Sequence, residues 1–236
     1  VVITAEGKQM PVSTILGAND MYDVIKFRVA ITEKKVPALV VAKTAPAVGA
    51  DAWMLPYSTQ KSIACVSGKV KEVAKVAGEY HYYTLSMQMK DKMVSCPVMN
   101  VEGQVFGIAQ KSSGLDTVTT CYAAGAAFAM SQKISALSLG DAALKSIGIR
   151  KGLPDTEDQA LVYLFMASSS LSGEDYGMLL DDFIRQFPAN VDGYLRRANY
   201  YIAKGKDDQS WFDKAVADFN QALKIAQKKD DVYYNI

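Results

Sequence analysis

Histidine occurs once in this chain, at His81, and cysteine three times, at Cys65, Cys96 and Cys121. The cysteines form no CxxC pair and do not cluster with the histidine. That excludes a recognisable zinc site and a disulfide scaffold, and leaves buried free thiols packed as small hydrophobes as the plain reading. An excess of one charge is also missing: 26 lysines and arginines face 25 acidic residues. Without a basic stripe there is nothing to hold phosphates, so nucleic acid is not an expected partner. Long apolar runs are absent too. The longest, CYAAGAAFAM at 121–130, is too short and too rich in small residues to form a transmembrane segment. No signal peptide is visible. The chain opens on VVIT without Met, which reads as a start set by processing and leaves the compartment open. Nothing calls for a metal or a cofactor.

What is present is enough apolar material, half of 236 residues, for one large domain or two ordinary ones. Up to about residue 137 the hydrophobic period is two. MYDVIKFRVAI places Asp23, Ile25, Phe27, Val29 and Ile31 on one strand face, with Lys26 and Arg28 on the other. YHYYTLSMQM, CPVMN and QVFGIAQ are further strands, and Val101-Glu102-Gly103 is the expected hairpin turn between the last two. Many short strands at this spacing point to a barrel or sandwich.

After residue 138 the period becomes helical. TEDQALVYLFMASS opens with Thr156 and Gln159 at capping-box spacing. EDYGMLLDDFIRQF aligns Tyr176, Leu179, Leu180, Phe183 and Ile184 and stops before Pro188. VDGYLRRANYYIAK aligns Val191, Tyr194, Leu195, Ala198, Tyr201 and Ile202. SWFDKAVADFNQALKIAQKK aligns Phe212, Ala215, Val216, Phe219, Ala222, Leu223 and Ala226, with Ser210 and Asp213 at its start. Ala215, Phe219 and Ala222, preceded by Ala198 and Tyr201, resemble the helix pair of a tetratricopeptide repeat. The loop GKDDQSW is longer than that family's norm, and the pair over 157–187 keeps Pro188 but has Leu180 and Phe183 in place of the Phe and Ala. Tyr233 looks like the opening of a further repeat. Neither pair can bury its stripe alone, so the pairs must stack on one another or on the β domain.

KMVSCPVMNVEGQVFGI at 92–108 carries the second resemblance. In trypsin-like serine proteases the nucleophile lies in G-[ND]-S-G-[GS]-P, followed by a strand, a Gly turn and a strand ending V-x-G-I. Pro97, Val98, Asn100, Gly103, Val105, Gly107 and Ile108 match the second part. That register puts Val94 at the serine, Lys92 at the oxyanion-hole glycine and Cys96 just before the proline. Valine has no nucleophilic atom, and acyl transfer needs one beside backbone N–H groups turned toward the oxyanion. Lysine adopts the backbone conformations of glycine less readily. YDVIKFRV resembles the strand that carries the triad acid, which makes Asp23 a vestigial acid. ITAEGKQMPVSTILGAND resembles the segment upstream, with EGK as its turn, so the family's histidine position falls before Val1. His81, on a strand with Tyr83, Leu85 and Met87, is expected at a core edge and not as a general base. CYAAGAAFAM resembles the strand leading toward the closing helix, and SLGDAALKSIGI a closing helix or connector.

Together these imply an α+β multidomain protein similar to bacterial, Bacteroidetes-like proteins that join the two families. A trypsin-like antiparallel β-barrel portion spans 1–137, its first barrel incomplete at the N-terminus. A connector helix or linker follows over 138–154, then an α-helical tetratricopeptide-repeat array over 155–236. The function implied is a non-catalytic protease-like protein, periplasmic or secreted, that binds a protein or peptide through its repeats, with Asp192 and Asn199 on the peptide-binding face. The alternatives are an endopeptidase that uses Ser95 or Cys96 in a remodelled loop, and a structural assembly module.

Overall fold

A computed structural model describes residues 1–4, 6–31, 38–58, 64–76, 78–111, 119–205 and 208–234. By their contacts these fall into two compact units. One is Val1–Lys133 with Ile147–Arg150, the other Ile134–Ser146 with Lys151–Ile236.

The first unit begins with two hairpins. β1 (Val2–Ile3) pairs antiparallel with β2 (Gln9–Met10) around a turn in which Gly7, at φ +80°, donates its N–H to the Thr4 carbonyl at 2.9 Å. This is the turn expected at EGK. β3 (Val12–Asn19) pairs antiparallel with β4 (Val24–Val29). Of the two faces of β4, the one with Ile25 and Phe27 is exposed, and Val24, on the other, is buried. Val24 packs with Val76, Ala124, Phe128 and Ala129. That packing covers one face of β4 and leaves Ile25 and Phe27 on the other face bare.

β5 (Asp51–Met54), β6 (Val66–Val76), β7 (Tyr80–Leu85), β8 (Pro97–Met99), β9 (Val105–Gln110) and β10 (Cys121–Gly125) close into an antiparallel barrel in the order β10-β7-β6-β5-β8-β9. Its interior holds Met54, Val70, Tyr83, Leu85, Val98, Phe106, Cys121 and Ala123. Alternate residues of each strand point inward, as the period of two requires. β10 is buried on both faces, Ala123 inside the barrel and Ala124 against Phe128 outside it. That explains why it is built of small residues. The strand resemblance assigned to 121–130 holds only to Gly125, because α1 (Ala126–Ser131) begins at the next residue.

The second unit holds the short α2 (Ala142–Ser146), then α3 (Glu157–Ala167), α4 (Gly173–Gln186), α5 (Val191–Lys204), α6 (Gln209–Ile225) and α7 (Asp230–Tyr233). α3 packs on α4, α4 on α5, and α5 on α6. Local chemistry sets the starts. Ser172 accepts from the Asp175 N–H, and Asn190 from Gly193. Asp208, not Ser210, caps α6, so only 205–208 separate α5 from α6 and the connection is not a long one. Thr156 is the N-cap of α3 but makes no side-chain capping bond.

Ala198, Ala215, Phe219 and Ala222 form the α5–α6 seam with Tyr194, Leu195 and Val232. Phe212, Val216 and Ile202, which the helical period places on the apolar stripes, are exposed instead. The seam is narrower than the stripes because Asp218 occupies part of it, buried to 5% exposure. Its carboxylate accepts two bonds from Arg197, from Nε at 2.8 Å and Nη2 at 2.7 Å, and Arg197 Nη1 also donates to Asp181 at 2.7 Å. One guanidinium thus ties α4, α5 and α6 together, and its two acidic partners hold its pKa above the usual value.

Candidate functional site

The site expected from the sequence is the segment entering β8. The hairpin after it is well defined. Pro97 pairs with Ile108 and Val98 with Gly107. Gly103 takes φ +73° and donates to the Asn100 carbonyl at 3.0 Å, while the Asn100 side chain accepts from the Gln104 N–H at 2.8 Å. A side chain on Gly107 would press against the Ala123 methyl, 3.0 Å away. Asn100, Gly103 and Gly107 therefore each have a job within the hairpin and the barrel, independent of any catalytic history.

The preceding turn has a feature the hairpin does not require. Val94 lies at φ −60°, ψ 137°, Ser95 at φ +65°, and the Cys96 N–H donates to the Met93 carbonyl at 3.2 Å. That is a type II turn whose third residue needs a positive φ and favours glycine. In the register fixed by Pro97, Ser95 stands where the G-[ND]-S-G-[GS]-P segment has its second glycine. The first glycine position, Lys92, behaves differently. It is wound into a 3₁₀ turn over Asp91–Met93, with the Met93 N–H committed to the Lys90 carbonyl at 2.9 Å. The loop thus has a left-handed position at Ser95 and none at Lys92.

Val94 is 36% exposed and does not plug the loop. Ser95 is exposed, its N–H held by the Ala109 carbonyl at 2.8 Å, and its hydroxyl has no partner among the described residues. Cys96 is buried in the barrel core, its Sγ directed at the Lys92 carbonyl at 3.9 Å. Cys121 shares that core, and burial together with the nearby Cys96 sulfur pushes its thiol up to about 11. Held as a thiol in this way, Cys121 is inert as a nucleophile. Cys65, by contrast, is exposed, against the expectation that all three thiols are buried.

Asp23 is not the first residue of a strand, as its sequence pattern suggests. It sits in the β3–β4 turn, exposed, at φ +45°, with its N–H on the Asp20 carbonyl at 3.3 Å. The residue before it is fastened to the barrel, since the Gln110 amide donates to the Tyr22 carbonyl. Gln110 follows Ala109, the residue that holds Ser95. The fold therefore brings the Asp23 turn and the Val94–Ser95 turn to adjacent residues of β9. Gln110 is a link that the sequence motifs do not mark.

His81 is elsewhere. It lies on β7, three strands from β8 in either direction round the barrel, and so on the opposite wall. Its ring stacks on Tyr83, centroids 6.2 Å apart. Its backbone carbonyl would lie 2.5 Å from a Cβ on Gly125. Among the described residues no group of His, Cys, Asp or Glu could hold a metal ion, and no helix is long and apolar enough to cross a membrane. In the helical unit, Asp192 and Asn199 are both exposed and, seven positions apart, share one face of α5.

No protein-family model matches the chain, and no curated protein matches it. Among solved structures it is similar to the active form of the Rv3671c protease from M. tuberculosis, with TM-score 0.42 and 20% identity over 51% of this chain and 56% of that one. It is also similar to the HtrA-type protease AlgW with a decapeptide, with TM-score 0.44 and 11% identity over 54% of this chain and 41% of that one. The chain thus spans about half the length of these structures. Likenesses this distant concern the fold alone.

Proposed function

We propose that this is a protease-like protein that does not cut: a trypsin-like barrel with its nucleophile replaced, joined to tetratricopeptide-like repeats that bind an extended peptide of a partner protein. The observation that carries the reading is the positive φ at Ser95. It supports the register in which a glycine once stood at 95, and in that register the nucleophile position holds Val94. Asp23, fastened beside β9 through Tyr22 and Gln110, fits an inherited acid that has lost its partners.

Two features support repeats. The N-caps of α3 and α5, Thr156 and Asn190, lie 34 positions apart (190 less 156), against a tetratricopeptide period of about 34. The residues at the close contact of α5 and α6 are the small ones, Ala198, Ala215 and Ala222. By the same offset, Asp158, Val162 and Phe165 on α3 correspond to Asp192, Arg196 and Asn199 on α5. Glu157 accepts from the Asn190 side chain at 2.6 Å, which sets the two helix starts side by side. Val162 and Phe165 are 49% and 68% exposed. A face that pairs apolar anchors on one helix with polar groups on the next suits a peptide with an apolar side chain and a hydrogen-bonding backbone. A periplasmic or secreted location belongs to this reading and rests on the resemblance alone.

The test is a peptide array probed with the full chain, Asn199→Ala, Asp192→Ala and Phe165→Ser. Retained peptides should be lost from all three variants while far-UV ellipticity is unchanged. Identical array patterns for the four proteins would overturn the assignment of this face.

A further inference from the structure

The barrel is not fully plugged. A cavity of about 190 Å³ opens at the Val105 end of β9, the end remote from the Ser95 turn, which is held at Ala109. The sequence leaves it by default. The positions that could fill it are small: Ala42, Ala45, Ala127 and Gly125, the last forbidden a side chain by the His81 carbonyl.

Its walls are aromatic. Tyr83 meets Phe106 edge to face at 4.9 Å, His81 stacks on Tyr83, and Tyr80 meets Phe128 edge to face at 5.6 Å. All five line the space. Tyr83 is 3% exposed as a residue, but its hydroxyl, which makes no hydrogen bond among the described residues, is not sealed from solvent and lines the cavity. The His81 ring nitrogens and the Lys43 ammonium, which also line the cavity, are likewise without partners there. Polar groups converging on an aromatic pocket mark a binding site.

We infer that this barrel-mouth cavity binds a monocyclic aromatic carboxylate. The volume is below that of a drug-sized pocket and suits one ring. Ring edges and faces of Tyr83, Phe106 and Phe128 favour an aromatic over a saturated ring. Lys43 in the lining supplies the cation for the carboxylate, and Glu79, also in the lining, disfavours a second anionic group. The site is separate from the protease-like turn and from the helical unit, so it does not depend on the function proposed above.

The probe is benzoate, titrated into the full chain and followed by amide NMR shifts at residues 79–83. Binding is expected with a dissociation constant on the order of 1 mM. Cyclohexanecarboxylate and benzyl alcohol should each bind more weakly. Lys43→Met should weaken benzoate about fivefold and leave benzyl alcohol unchanged. Ala127→Trp, at an exposed position of α1, should block the mouth. The inference is overturned by the absence of shifts up to about 20 mM benzoate, by equal binding of the three compounds, or by binding that persists in Ala127→Trp.

Discussion

Replacing Ser95 with glycine should stabilise the barrel, a result that contact-counting would not anticipate. At φ +65° the Ser95 Cβ crowds the following carbonyl, at a cost of about 1–2 kcal/mol. Glycine removes that cost. It also gives the unfolded chain more freedom, which takes back about 0.4–1 kcal/mol. The hydroxyl is exposed and makes no hydrogen bond among the described residues, so its loss adds nothing. The net gain is about 0.5–1 kcal/mol, or about 2–4 °C in Tm for a unit of this size. Ser95→Ala keeps the Cβ and should be neutral. Ser95→Val adds a branch at a positive φ and should lose about 1 kcal/mol. The assay is thermal and urea unfolding in a Trp211→Phe background, so that Trp53 on β5 reports the barrel alone. The order Gly above Ser, Ser equal to Ala, Val lowest is required. If glycine is no better than alanine, residue 95 is not left-handed, and the register that puts Val94 at the nucleophile loses its structural support.

The remaining predictions concern packing and ionisation. Asp218→Ala removes the buried one of the two carboxylates that hold Arg197 and should destabilise the helical unit by about 2–3 kcal/mol, read by urea melts of far-UV ellipticity. The pair Arg197→Met with Asp218→Leu should restore most of it, whereas Asp181→Asn, at 47% side-chain exposure, should cost under about 1 kcal/mol. Gly125→Ala drives a methyl into the His81 carbonyl 2.5 Å away; backbone cannot yield there, and a loss of about 3 kcal/mol or failure to close the barrel is expected. Burial raises Cys121 to about 11 from 9.0, and Tyr83 to about 12 from 10.0. Both are neutral in the fold, and the folded state holds these protons more tightly than the unfolded chain. Their contribution is therefore whole below pH 9 and is lost as pH rises through 12. The barrel Tm should fall across that window, and Cys121→Ala should remove the decline at its lower end.

Much of this architecture could be read from the residues. The β8–β9 hairpin was legible because Asn100 and Gly103 have few other uses, and the helical stripes because a period near 3.6 repeats over many turns. In β4 alternation gives the faces but not which one is covered, and Ile25 and Phe27 look outward. Asp218 escaped notice because a carboxylate on an apolar stripe becomes burial-competent only through Arg197, twenty-one positions away. The turn at Val94–Ser95 was half legible. The resemblance marks Val94 and Lys92 as the departures from the motif, but the left-handed φ at Ser95 and the 3₁₀ winding at Lys92 go with backbone bonds to Ala109 and Lys90. The Gln110 link to Tyr22 carries no sequence signature at all.

The claim that this chain does not cut is tested most directly by incubating the full chain with a fluorophosphonate and mapping adducts by mass spectrometry. The account predicts no adduct on any serine of the native chain, including Ser95, under conditions that label an active serine protease to completion. A stoichiometric adduct on Ser95 that vanishes in Ser95→Ala would contradict it.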